Sequence, residues 1–221
     1  GPTLTPQNMA QCLDAMRSLD TAAAWWVASG SLPLGVPHDF YAGLAREARA
    51  RGRKLIVDTS GSALGAALNE GVHMIKPSLR ELRELTGLPL MTEAQQLQSA
   101  RQLLASGKTR IVALSLGEGG AMLITDTHAW RARALQVQVR STIGAGDSFV
   151  GGMVWALSRS DDDAGPAALA SPAVLEQALR YGMAASAAAL LSPGTALCQA
   201  ADVHRLAAEV EIEKIILEKS S

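Results

Sequence analysis

Four short apolar runs, at residues 24–28, 54–58, 72–75 and 111–115, alternate with segments patterned as helices. This rhythm leaves few folds open. Strands separated by helical stretches cannot pair as hairpins, so they stack as a parallel sheet with crossover helices on its faces. The helix signals are local and specific. Thr5-Pro6 gives an N-cap with Pro at the first helical position. The helix predicted over 38–51 ends at Gly52, and that over 62–70 ends at Gly71. Ser78 and Glu81, then Thr92 and Gln95, have capping-box spacing for helices over 78–86 and from 92 to about 106.

After residue 115 the rhythm changes. Residues 121–125, 128–135 and 136–139 read as strands joined by short turns, which makes them antiparallel additions at one edge. Helices are predicted from 146 to about 158, over 172–191 and over 201–209. Residues 161–166 read as an exposed loop, and its three aspartates as solvated rather than metal-binding. The fold class is therefore α/β: a doubly wound, mostly parallel sheet with helices on both faces. There is no internal repeat or low-complexity linker, so residues 1–210 are expected to form one domain and 211–221 a C-terminal tail.

Composition narrows the function. Twenty Lys and Arg against 21 Asp and Glu leave a formal charge of -1, without the basic excess that nucleic-acid binding needs. Two cysteines, Cys12 and Cys198, are too few for a disulfide framework and read as buried or half-buried thiols. No apolar run reaches the ~18–20 residues that span a bilayer, and no signal peptide is visible. A cytoplasmic location is expected. His38, His73, His128 and His204 have no metal-ligand spacing.

In an open α/β sheet, ligands collect beyond the carboxyl ends of the strands. Ser29, Lys76, Ser115 and Gly117 all fall there. The strongest motif is Gly144-Ala145-Gly146-Asp147 at a predicted helix start. Its glycines leave the backbone open, and the helix amides would converge as an anion hole; an ordinary N-cap turn has the same composition. Ser115-Leu116-Gly117-Glu118-Gly119-Gly120 could wrap a phosphate or make a hairpin turn. It is neither a Walker A loop nor a dinucleotide fingerprint, and a strand follows it, which disfavours a nicotinamide-dependent oxidoreductase. Lys76-Pro77-Ser78-Leu79-Arg80-Glu81 could be a helix cap, or a corner where Lys76 faces phosphate and Glu81 orders water around Mg²⁺.

In their order along the chain, Ser29-Gly30-Ser31-Leu32-Pro33, Lys76-Pro77-Ser78-x-x-Glu81, Ser115-Leu116-Gly117 and Gly144-Ala145-Gly146-Asp147 resemble the ribokinase or phosphofructokinase-B family of carbohydrate kinases. The resemblance runs from the first helix to about residue 205 and implies an ATP-dependent sugar-phosphate kinase, with fructose 6-phosphate as the expected acceptor. A regulatory module that has lost catalysis is the alternative.

The resemblance implies roles for the residues that match. Asp147 becomes the base, and Gly144, Ala145 and Gly146 the anion hole. Lys76, Ser78, the loop of Ser115, Leu116, Gly117, Glu118, Gly119 and Gly120, and Val139, Met183 and Ala187 contact the nucleotide. Ser31 joins Asp147 on the acceptor side. Glu81 holds Mg²⁺ through water. Ser141, Ile143, Ala189, Ser192, Gly194 and Ala196 form a K⁺ loop. The family usually has Asn where Ser78 stands. Its members also carry earlier strands, a β lid and a sugar loop, so the chain resembles the C-terminal two-thirds of such a kinase. The complete protein is expected to be a homodimer, with no nucleic-acid or membrane partner.

Overall fold

The computed structural model describes residues 3–18, 23–159 and 170–217. The loop expected over 161–166 lies outside the described residues. Helix α1 (Pro6–Ser18) precedes β1 (Trp25–Ser29), α2 (Phe40–Ala50), β2 (Lys54–Asp58), α3 (Gly61–Glu70) and β3 (Met74–Ile75). Then follow α4 (Leu79–Thr86), α5 (Glu93–Ala105), β4 (Ile111–Ser115), β5 (Ala121–Ile124) and β6 (Ala129–Ala132). The chain continues through α6 (Ala145–Ser158), α7 (Pro172–Leu190), α8 (Ala200–Ala207) and β7 (Ile212–Ile215).

The seven strands form one sheet in sequence order. β1 to β4 pair in parallel, and β5, β6 and β7 each add antiparallel to the preceding strand. The alternation of the first half thus becomes the parallel part, and the later short strands become the antiparallel edge.

Two apolar clusters cover the two faces. One packs Val57, Ile75, Leu114 and Met122 under α2 to α5; the other packs Ile56, Met74, Leu123 and Trp130 under α6 to α8. The middle of the sheet is buried on both faces, which is why β4 and β5 read as uninterrupted apolar runs rather than as an alternation. The capping boxes form as their spacing predicts, Ser78 with Glu81 and Thr92 with Gln95.

Residues 136–139 do not form the expected strand. The edge beside β6 is occupied by β7, so no ladder remains for them. Leu135 and Val137 instead pack on the second cluster, and the Arg140 amide donates to the Leu190 carbonyl at 2.8 Å. β7 itself comes from the segment that the sequence reading gives as a tail. Cys198 is half-buried as expected, but Cys12 is exposed, because α1 buries none of its residues fully. Among the described residues no helix is long and apolar enough to cross a membrane.

Candidate functional site

Four neighbouring parallel strands deliver polar residues to the same end of the sheet. β1 ends in Ser29, β2 in Asp58 and β4 in Ser115, and Lys76 follows directly on β3. The start of α6 lies against this row. Its N-cap, Gly144, has φ 78°, a left-handed conformation that a Cβ would strain, and it makes no side-chain cap. The first intrahelical bond to Gly144 comes from the Ser148 amide. The amides of Ala145, Gly146 and Asp147 therefore have no acceptor within the helix, and the positive end of its dipole adds to them.

Lys76 stands beside these amides. A Cβ placed on Gly146 would lie 3.7 Å from Lys76 Nζ. The lysine is only 7% exposed, and its Nζ pairs with Asp58 Oδ1 at 3.1 Å. Burial pushes the Asp58 carboxyl above the usual aspartate range; Lys76 pulls it down, while Glu81 and Asp147 push it further up. Ser29 Oγ donates to Asp147 Oδ1 at 3.1 Å and lies 3.5 Å from Asp58 Oδ2. The loop leaving β1 is pinned at Gly30, whose carbonyl accepts from Thr59 Oγ1 at 2.9 Å and from the Tyr41 hydroxyl at 3.0 Å.

The Lys76-Pro77-Ser78 corner is tied to β4, since the Ser115 amide donates to the Pro77 carbonyl at 2.9 Å and Ser78 bridges to Ser115. Glu81 Oε2 accepts the Ser78 amide at 2.7 Å, and Ser78 Oγ accepts the Glu81 amide at 3.2 Å. The capping reading of this motif is therefore realised. Glu81 still faces Asp58 closely enough to raise its proton affinity.

A cavity of about 270 Å³ opens between this corner, the α6 start and α7. It brings together Lys76, Ser78, Ser115, Gly117, Gly120, Ala145, Gly146, Met183 and Ala187 from the predicted set. Leu116, Glu118, Gly119 and Val139 are not on its wall. The loop after Ser115 makes a 3₁₀ turn over Gly117–Gly119 and then hairpins into β5, so the turn reading holds while its glycines border the cavity. Gly120 has φ 95°, and a Cβ there would collide with the Ala132 carbonyl and the Ala134 amide.

The residues expected to form a cation loop meet in part. Ser141 Oγ donates to the Gly194 carbonyl at 2.7 Å and accepts the Ile143 amide at 3.2 Å. The Ala189 carbonyl is taken by the Ser192 amide, and Ser192 Oγ donates to the Leu197 carbonyl. Neutral oxygens gathered beside a helix start suit a hard monovalent cation better than a transition metal. Among the described residues there is no group of three His, Cys, Asp or Glu that could hold a metal.

Asp58 was not visible as a site residue from sequence. Its signal was weak: one acidic residue closing an apolar strand at the same sheet end as Lys76. Ser29, rather than the exposed Ser31, touches Asp147. Phe149, Ser186 and Leu190 also line the cavity and carried no sequence signal.

The sequence pattern of the pfkB family carbohydrate kinases matches residues 5–202. The chain is 42% identical over 212 residues to the ATP-dependent 6-phosphofructokinase isozyme 2 of Mycobacterium tuberculosis strain H37Rv, covering 95% of this chain and 59% of that protein. It is 43% identical over 152 residues to the 1-phosphofructokinase of Rhodobacter capsulatus, covering 66% of this chain and 46% of the relative. The crystal structure of phosphofructokinase-2 from Escherichia coli in complex with potassium superposes with a TM-score of 0.83 at 34% identity, over 94% of this chain and 63% of that one. The chain thus spans about three-fifths of the length of the Mycobacterium tuberculosis and Escherichia coli proteins and less than half of the Rhodobacter one.

Proposed function

The chain belongs to the pfkB family of carbohydrate kinases, and from that premise we propose that the complete protein transfers the terminal phosphoryl group of ATP to a hydroxyl of a sugar phosphate. Fructose 6-phosphate is the acceptor we favour, giving fructose 1,6-bisphosphate. The observation that carries this reading is the meeting of three parts at one sheet end: the open amides of α6, the buried Lys76 ammonium and the Asp147 carboxylate held by Ser29.

Phosphoryl transfer asks the protein for positioning and for charge where charge develops. The amides of Ala145, Gly146 and Asp147 face the transferring group. Lys76, braced by Asp58, adds a fixed cation that cannot swing away to solvent. Asp147 accepts the proton of the attacking hydroxyl, which becomes acidic as its bond to phosphorus forms. The nucleotide base and ribose occupy the cavity toward Met183 and Ala187, with Ser78 and the 115–120 loop along the phosphates.

Two ions complete the site. Glu81 would hold Mg²⁺ through water, and the ion would neutralise phosphate charge. Ser141, Ile143, Ala189, Ser192, Gly194 and Ala196 would hold K⁺, whose charge would add to the field at the α6 start. We place the kinase domain at residues 1–210 together with β7, which closes the edge of its sheet, and expect the complete protein to be a cytoplasmic homodimer. A second acceptor, fructose 1-phosphate, is favoured by the likeness to the Rhodobacter 1-phosphofructokinase. A coupled ADP-release assay of the complete protein with each hexose phosphate tests the reading: fructose 6-phosphate should give the largest kcat/KM, and MgATP turnover with none of them would refute it.

A further inference from the structure

A second cavity lies at the opposite end of the sheet, where β2, β3 and β4 begin. It measures about 380 Å³ and includes Arg49, Arg53, Glu70, His73 and Arg110 in its wall. That volume suits a small molecule. The segments around it, 46–54, 70–73 and 107–110, carry seven of the chain's twenty Lys and Arg but two of its 21 Asp and Glu. A chain that is almost neutral overall thus concentrates positive charge at one end.

Helix capping explains only part of this excess. α2, α3 and α5 end here, and their three C-termini together present about -1.5 charges. The two carboxylates are already engaged. Glu47 pairs with Arg17 at 2.7 Å and Arg51 at 3.6 Å, and Glu70 with Arg46 at 2.7 Å and Arg49 at 3.6 Å. Arg49 also donates to the Glu70 carbonyl. Among the described residues, Lys108 Nζ donates to the neutral Asn69 amide oxygen, at 3.0 Å. The seven cations of these segments therefore outnumber their two carboxylates and three helix ends; Arg53 and Lys54 have further contacts of their own, Lys54 Nζ lying 5.1 Å from the centre of the Trp25 ring.

His73 reports the same field from inside. It is 7% exposed, and its Nε2 has no hydrogen-bond partner among the described residues. Burial, then repulsion from Lys54 and Arg110, pulls its pKa down to about 4, so the ring is neutral at pH 7. A buried, unpartnered ring nitrogen is costly, and here it belongs to a residue of the cavity wall.

We propose that this cavity binds a small oxyanion with two or more negative charges, of the phosphorylated or polycarboxylate class, held by Arg49, Arg53 and Arg110. Guanidinium groups pair bidentately with both phosphate and carboxylate, so the wall suits either source. The site is separate from the kinase centre, with the length of the strands between them, and does not depend on the kinase reading.

The test is a titration of the 221-residue chain, without divalent metal, using pyrophosphate in one arm and citrate in the other, followed by NMR. Saturable shifts of the His73 ring and of the Gly71, Gly107 and Arg110 amides are expected in at least one arm, which names the class. Arg110→Gln should weaken that response about tenfold, the loss of one charge-assisted contact. Arg53→Gln combined with Arg110→Gln should abolish it, and Arg110→Lys serves if the double variant does not fold, with an intermediate loss. Gly146→Val should leave it unchanged. Shifts confined to residues 144–148 in both arms, or an Arg110→Gln chain that is folded and responds like wild type, would overturn the proposal.

Discussion

Ser29 Oγ sits between two carboxylates, 3.1 Å from Asp147 Oδ1 and 3.5 Å from Asp58 Oδ2. A hydroxyl has one proton to donate, and the shorter contact directs it to Asp147. Ser29 thus orients Asp147, while Asp58 spends its other oxygen on Lys76. One line of side chains, Asp147 to Ser29 to Asp58 to Lys76, links the Asp147 carboxylate to the cation beside the α6 amides.

If this link positions Asp147, Ser29→Ala should lower kcat of the complete enzyme about tenfold, the loss of one hydrogen bond to a charged group. KM for MgATP should hold, because Ser29 does not border the nucleotide cavity. Ser29→Thr keeps the hydroxyl and should recover most of the loss. An equal rise in KM for ATP would show a general disturbance of the sheet end instead.

The glycines of the site should separate by mechanism. At Gly120 a Cβ collides with the β6 backbone, so Gly120→Ala should destabilise the chain by about 2 kcal/mol or more. At Gly146 a Cβ meets only Lys76 Nζ at 3.7 Å, an ordinary contact. Gly146→Ala should therefore melt near wild type but weaken MgATP binding, by intruding where phosphate lies. Denaturant unfolding and calorimetry read the two effects apart.

Stability should fall with acid because of His73. Its folded pKa, about 4, lies below the unfolded value near 6.5. Between these values the unfolded chain binds the proton and the folded chain does not, so stability rises with pH from about 4 to 6.5 and is lost on the way down. The span corresponds to roughly 3 kcal/mol. His73→Leu should flatten the urea-unfolding profile across this window. A variant with the wild-type slope would place the acid sensitivity elsewhere.

Replacing K⁺ by tetramethylammonium at about 0.1 M, where screening is matched, should lower kcat of the complete enzyme. Ser141→Ala should blunt the response, since Ser141 Oγ ties the Gly194 carbonyl to the Ile143 amide. Indifference of the wild type to the exchange would remove the cation loop from the account.

The parallel half of the sheet was legible because its signals are local: apolar runs, capping boxes at Ser78 and Thr92, and glycines after helices. Residues that border the cavity were legible where they stand in recognisable motifs, as Lys76 and Gly146 do. What escaped depends on distant pairing. Residues 136–139 alternate like a strand, yet β7, some 75 residues later in sequence, takes the edge beside β6. Asp58 looks like the close of any strand until the parallel register puts it next to Lys76. Ser29 and Asp147 are 118 residues apart, and no spacing rule could join them.

The central claim is that Asp147 is the base of a sugar-phosphate kinase. Its most direct test is the Asp147→Asn variant of the complete protein in a coupled ADP-release assay with MgATP and fructose 6-phosphate, beside calorimetry with MgATP. Asparagine keeps the size and can still meet Ser29, but it cannot take the proton. The account predicts a kcat lower by roughly 10²–10⁴-fold, the range for loss of a general base, with MgATP affinity within about twofold of wild type. A variant that keeps more than half of the wild-type turnover would contradict it.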